Sequence, residues 1–229
     1  MNKGKPTRPG RLSDSPRRVL IVDDHPMVRL GLAELIGRES DLAVCGEAGK
    51  ASQAIQMLEE ARPDVVLVDI SLEDMSGLDL VHLIRQQDPS LRVLVCSMHS
   101  EELYAERALR AGASGYVCKS EGSQQVLEAI RTVLKGKVRL SEGASERVLA
   151  SMADYGEVPT GPRVERLSNR ELEIFELIGQ GKTSRQIAEE LHLSIKTVDA
   201  HRQKIKTKLN LQNASELVYR AVQWVLEER

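Results

Sequence analysis

The segment RVLIVDDHP (18–26) runs an apolar strand-like stretch into two adjacent carboxylates, Asp23 and Asp24, and DVVLVDI (64–70) ends its apolar part in a third, Asp69. Like charges held together repel, so three acids gathered at strand ends call for compensation. A hard divalent cation supplies it, because oxygen ligands suit it and its charge offsets theirs; magnesium is the expected cofactor. The acids converge only if the two runs are neighbouring strands; otherwise they cap helices or face water. Two later residues end strand-like runs in the same way: Ser97 follows VLVC (93–96), and Lys119 follows YVC (116–118). Carboxylates, a hydroxyl and an ammonium at one sheet edge fit phosphoryl transfer to a carboxylate, which needs a nucleophile, a metal to screen charge, and donors for the transferred oxygens. Asp69, alone at its strand end, is the expected nucleophile, with Lys119 and Ser97 as the donors.

The elements that must position these residues are legible as alternating patterns. Strands are expected at 19–22, 42–45, 65–68, 93–96 and 116–118, and helices at 27–36, 51–60, 78–86, 101–111 and 123–134. The near-continuous apolarity of the first and third strands suits a parallel sheet covered on both faces. In such sheets ligands collect at the carboxyl ends of strands, near the point where strand order reverses. The fold class expected is therefore α/β, a five-stranded parallel doubly wound unit. Beyond residue 134 the pattern loosens; one short helix is expected at 144–152, and GEVPTGPR (156–163) reads as a linker. Four further helices follow at 169–180, 184–191, 195–209 and 214–227, an all-α unit.

Composition narrows the function classes. The 229 residues suffice for two modest domains, and aromatics are only 3%, so the cores must be aliphatic. A net charge of -2 excludes a chain basic throughout but leaves room for one basic face. Cys45, Cys96 and Cys118 form no metal-ligand spacing and sit in apolar runs, which points to buried thiols in a reducing compartment. No apolar stretch reaches the roughly 18 residues of a membrane span, and MNKGKPTRPG lacks the apolar core of a secretory signal, so a cytoplasmic protein with no membrane partner is expected.

The stretches VDDHPMVRLGL (22–32), PDVVLVDISLEDMSGLDL (63–80), VLVCSMHS (93–100) and AGASGYVCKS (111–120) resemble the receiver domain of bacterial two-component response regulators. The resemblance implies that Asp69 accepts a phosphoryl group from a cognate histidine kinase. It implies that Asp24 and Asp69 ligate magnesium with Asp23 nearby or acting through water, and that the Ser71 carbonyl completes the protein ligands. It further implies that Ser97 and Tyr116 act as a switch: Ser97 moves toward the phosphoryl group and Tyr116 turns inward. A phosphoryl group adds roughly -1.5 to -2 charge and three acceptor oxygens, enough to bias a two-state element. Ser120 stands after Lys119 where the family commonly has proline, the residue that makes a cis peptide cheap.

Within residues 166–222, Ser168 with Glu171 and Thr183 with Gln186 have the spacing of capping boxes. Val198, Ile205 and Leu209 form an inward stripe on the third helix, whose other faces carry Lys196, Arg202, Lys204, Lys206 and Lys208 against the single acid Asp199. A short link, HLS, between the second and third helices suggests a helix-turn-helix, and the basic helix suits DNA phosphates; a protein-binding bundle with a solvated basic face is the plainer alternative. The segment is similar to the LuxR-type DNA-binding domain, and the whole chain resembles response regulators of the NarL/FixJ class. By that pattern Asp199, Ala200 and Gln203 face base edges, while Lys196, Thr197, Lys204 and Lys208 are placed for the backbone. Asp199 is the departure, since many relatives carry a basic residue there, and His201 falls close to the inward stripe. Asn213 and Ser215 are candidate caps for the last helix, whose Leu217, Val218, Val222 and Val225 bury against the core or a partner copy.

The expected organisation is a disordered arm at 1–16, a phosphoacceptor receiver at 17–136, a linker with a short helix at 137–165, and a LuxR-type helix-turn-helix domain at 166–229. The expected function is a phosphorylation-regulated transcription factor, not an enzyme beyond phosphoryl transfer to itself and autodephosphorylation. Its expected partners are the kinase, double-stranded promoter DNA, a second copy when phosphorylated, and RNA polymerase. The alternatives are a magnesium-dependent phosphohydrolase and a phosphorylation-controlled protein-interaction switch.

Overall fold

The computed structural model describes residues 15–153 and 164–227. The expected N-terminal arm, apart from its last two residues, and the GEVPTGPR linker lie outside the described residues. The first unit alternates β1 (Arg17–Val22), α1 (Pro26–Gly37), β2 (Leu42–Ala48), α2 (Ala51–Ala61), β3 (Val65–Val68), α3 (Gly77–Gln87), β4 (Arg92–Ser97), α4 (Glu101–Ala111), β5 (Gly115–Cys118) and α5 (Ser123–Leu134). The strands form one parallel sheet in the order β2-β1-β3-β4-β5. Order reverses at β1, which pairs with β3, so the expected adjacency of the two acid-tipped strands holds.

Side chains alternate across the sheet as period-2 strands require. Val19, Ile21, Val65, Leu67, Leu94 and Val117 pack with α1 and α5 on one face. Leu20, Val22, Val66, Val68, Val93, Val95 and Tyr116 pack with α2, α3 and α4 on the other. Both faces are dry, which is why the strands read as continuous apolar runs rather than alternating ones.

After α5 the chain returns to the sheet edge. Arg139 bridges Gly115 in parallel, with Tyr116 N donating to Arg139 O at 2.8 Å and Arg139 N donating to Ser114 O at 3.1 Å. The helix α6 (Glu142–Ala153) begins two residues before its expected start and packs on α4. The last four helices are α7 (Asn169–Gly179), α8 (Ser184–Glu190), α9 (Ile195–Leu209) and α10 (Ala214–Glu227). Both expected capping boxes form: Glu171 N donates to Ser168 Oγ while Ser168 N donates to Glu171 Oε2, and Thr183 and Gln186 repeat the exchange. Asn213 Oδ1 caps α10 by accepting from Glu216 N at 2.9 Å, whereas Ser215 lies inside the helix, so only the first of the two candidate caps serves. Leu217 and Val225 are buried; Val218 is exposed.

Among the described residues the three cysteines are free, but only Cys96 is buried, its thiol pushed up to about 12 by burial. Cys45 and Cys118 are half-buried, so the expectation of three buried thiols holds for one. A strand-end position leaves Cys118 at the protein surface, where its Sγ meets Ser120 Oγ at 2.9 Å. No peptide bond is cis among the described residues, and no described helix is long and apolar enough to cross a membrane.

Candidate functional site

The register that pairs Val22 with Val68 carries one step further, because Asp69 N donates to Val22 O at 2.9 Å. Asp23 and Asp69 therefore emerge side by side. Lys119, just past β5, lies between them: its Nζ is 2.6 Å from Asp23 Oδ2 and 2.8 Å from Asp69 Oδ2. Burial alone would pull the Lys119 ammonium down, but Asp69 and Asp23 together hold it above its usual value. The remaining oxygens of both acids face amides, Asp23 Oδ1 accepting from His25 N at 2.9 Å and Asp69 Oδ1 from Ile70 N at 2.8 Å.

Asp24 is different. Burial pushes its carboxyl up, and Asp69 and Asp23 add to that, while His25 opposes them. His25 Nδ1 is 2.6 Å from Asp24 Oδ1, yet that buried oxygen has no hydrogen-bond partner among the described residues. A buried, unsatisfied carboxylate oxygen beside two further acids is the donor set a hard cation fits. Oxygens of Asp23, Asp24 and Asp69, with a His25 nitrogen, lie within 4.8 Å of one another. The residues present therefore fit magnesium.

The loop after β3 is tightly held. Ser71 bridges Ser76 in antiparallel sense, and Gly77 N donates to Ile70 O at 2.6 Å. A Cβ on Gly77 would sit 1.8 Å from the Asp69 carbonyl oxygen, so only glycine lets α3 start against that strand end. Asp74 in the same loop accepts from Ala51 N and Ser52 N, both at 2.9 Å, and caps α2, which has no cap of its own.

Ser97 is buried at the end of β4, beside Cys118 in register. Tyr116 is fully buried on β5, and its hydroxyl donates to the His99 carbonyl at 2.8 Å. In this conformation the Tyr116 ring lies inward, with its hydroxyl met by His99 O.

Among the DNA-facing candidates, Lys196, Ala200, Gln203 and Lys204 are exposed on α9, and Thr197, half-exposed, bonds Ser194 at the helix start. The inward stripe of Val198, Ile205 and Leu209 is buried as expected. Two candidates also have partners inside the domain. Asp199 Oδ1 accepts from Ser184 Oγ at 2.8 Å, so its carboxylate is turned to the start of α8 rather than left free for a base edge. Lys208 Nζ is 2.6 Å from the buried Glu171, a tie within the domain rather than a free phosphate contact. His201 is half-buried with Nδ1 unpartnered, consistent with its place near the stripe.

Sequence reasoning missed the junction between the two units. Tyr104 OH donates to Glu176 Oε2 at 2.8 Å, and His99 Nδ1 meets the same oxygen at 2.7 Å. Arg107 donates to the carbonyls of Leu167 and Val164, and Asn169 Nδ2 to Asp79 at 2.8 Å. His99 lies inside a quoted motif, but nothing in its spacing names a partner 77 residues away.

The response regulator receiver domain family matches residues 19–131, and the luxR family of bacterial regulatory proteins matches residues 165–221. The chain is 37% identical to the transcriptional activator protein ExaE of Pseudomonas putida over 90% of its length and 95% of that protein. It is similar to RcsB of Salmonella enterica serovar Typhimurium bound to promoter rprA in the presence of the phosphomimetic BeF3-, at 26% identity and TM-score 0.57, covering 89% of this chain and 97% of that one. A structure of two RcsB dimers bound to two parallel DNAs matches at 25% identity and TM-score 0.55, covering 93% and 98%.

Proposed function

The chain belongs to the response regulators that join a receiver to a LuxR-type DNA-binding domain, and from that premise we propose that Asp69 accepts the phosphoryl group that controls it. This family regulates transcription, which supports that reading over the phosphohydrolase alternative. The observation that carries the reading is Lys119 Nζ seated between Asp23 and Asp69 at the edge where sheet order reverses. We take the receiver as residues 17–136, the linker as 137–165 and the DNA-binding domain as 166–229.

An Asp69 carboxylate oxygen attacks the phosphorus of the donor, the bond from phosphorus to the donor atom breaks, and its electron pair leaves with the donor. Lys119 and Ser97 donate to the phosphoryl oxygens. Asp24 and Asp69, with the Ser71 carbonyl and Asp23 nearby, would hold magnesium. When bound, the ion supplies neutralisation of the charge that the phosphoryl group brings. Hydrolysis of the acyl phosphate by water resets the receiver. The donor is a cognate histidine kinase in the cytoplasm.

Lys196, Thr197 and Lys204 contact the DNA backbone; Ala200 and Gln203 meet base edges, alanine against a thymine methyl and glutamine against adenine. RcsB is described as dimers on DNA, and this chain is proposed to pair likewise when phosphorylated, recruiting RNA polymerase at promoters. Incubation of the full chain with acetyl phosphate and magnesium tests the reading: one labile phosphoryl group on Asp69, with tighter binding to an inverted-repeat duplex, is expected. Labelling elsewhere, or none, overturns it.

A further inference from the structure

The contacts between the two domains converge on the phosphoacceptor loop. Glu176, buried on α7, accepts from Tyr104 OH and faces His99 Nδ1 with the same oxygen. The other nitrogen of that imidazole, Nε2, is 2.9 Å from Ser71 Oγ, two residues past Asp69. An ionised carboxylate can only accept, so Nδ1 carries its proton toward Glu176, which sets the ring orientation and leaves Nε2 to Ser71. The His99 interaction holds the Glu176 carboxyl below its usual range although burial opposes it.

A second strut grips the next residue. Arg170 on α7, paired to the fully buried Glu173 at 2.7 Å, donates to the Leu72 carbonyl at 3.2 Å and the Leu191 carbonyl at 3.1 Å. Leu191 leads into the turn before α9, where His192, at φ 52°, brings Nε2 to 3.9 Å from Asp24 Oδ2. The DNA-binding domain thus holds both residues of the Ser71–Leu72 segment and stands a side chain beside the acidic pocket.

We propose that Glu176, acting through His99, is a positioning residue for the loop that follows Asp69, and that the docked DNA-binding domain thereby slows phosphoryl acceptance until it undocks. The inference rests on Asp69 being the acceptor. The docked domain restrains the segment whose Ser71 carbonyl belongs to the proposed metal site, and His192 narrows the approach past Asp24. Coupling is reciprocal for binding equilibria, so a change that frees the loop also favours the undocked domain. Communication in this scheme runs through Ser71 and His99.

The test follows phosphorylation of the full chain by acetyl phosphate with magnesium, using intact mass to time the label and peptide mapping to locate it. Glu176→Ala and His99→Ala are each expected to raise the initial rate about fivefold or more, the lower range of allosteric coupling. The double variant should be no faster than either single one, because both remove the same link. Glu176→Gln, which keeps an acceptor for Nδ1–H and for Tyr104, should restore a rate near that of the unaltered chain. Unchanged or slower rates in both alanine variants, additive effects in the double variant, or a glutamine variant as fast as the alanine variant would each overturn the proposal. If Glu176→Ala does not fold, His99→Ala, which alters the receiver side alone, decides it. Absence of label on Asp69 in the unaltered chain is a separate result, and it overturns the acceptor assignment rather than the brake.

Discussion

Asp24 and Asp69 share a pocket but differ in what surrounds them. Both oxygens of Asp69 are met, one by the Ile70 amide and one by Lys119, which leaves it oriented beside that ammonium. One oxygen of Asp24 is buried without a hydrogen bond, and the carboxyl is pushed up by burial and by its acidic neighbours. Asp69→Asn should abolish labelling by acetyl phosphate, since an amide is not a comparable nucleophile, and loss of the added mass is the readout. Asp24→Asn should weaken magnesium binding by more than the roughly tenfold that removal of an outer-shell partner costs. Isothermal titration of the unphosphorylated chain measures it, and an unchanged affinity removes Asp24 from the metal shell.

Single elements carry constraints of their own. The start of α3 abuts the Asp69 carbonyl so closely that Gly77→Ala forces backbone apart rather than a flexible side chain. A loss of about 3 kcal/mol or more in urea denaturation is expected, at or beyond the upper end of overpacking costs. In α7, Ser168→Ala removes one half of a capping box and should cost about 1 kcal/mol. Glu171 supplies the other half. Burial would raise its carboxyl, but Lys208 and the Ser168 amide outweigh burial and hold it below its ordinary value of 4.5. A depressed folded-state pKa contributes stability that is present above the unfolded value and is lost as pH falls through the folded one. The stability of the DNA-binding domain against denaturation should therefore fall on acidification below about pH 4.5, and Glu171→Gln should flatten that part of the profile.

Over the whole molecule, a sheet edge and a helix face must be connected. Lys196, Ala200, Gln203 and Lys204 on α9 stay exposed, and the junction's contacts come from α7, from Val164 and Leu167 ahead of it, and from the turn that precedes α9. Docking therefore bears directly on the loop that follows Asp69. For DNA, Lys196→Ala should lower the salt slope of binding by about 1 and weaken all sequences alike. Gln203→Ala should relax preference at one base position by about 1–3 kcal/mol. Lys208→Ala should destabilise the domain more than it changes the salt slope, because its ammonium is committed to Glu171. Fluorescence anisotropy on specific and scrambled duplexes over a salt series separates the three.

The amino-acid sequence by itself determined the periodic elements and therefore the α/β order, the acid-tipped strands, both capping boxes and the apolar stripe of α9. These follow from local patterning, in which each residue's neighbours along the chain define its environment. Adjacency of β1 and β3 was legible only as a condition, and the sheet met it. Tertiary structure alone decided the rest. Glu173 and Glu176 are buried acids on α7, the second met by His99 and Tyr104 of the receiver. Lys208 and Asp199 read as DNA contacts until packing gave them Glu171 and Ser184. The hydrogen-bond partners of the His99 ring nitrogens, Ser71 and Glu176, are 28 and 77 residues away. Electrostatic pairing depends on distance in space, and chain spacing constrains that distance only within an element or along a sheet register.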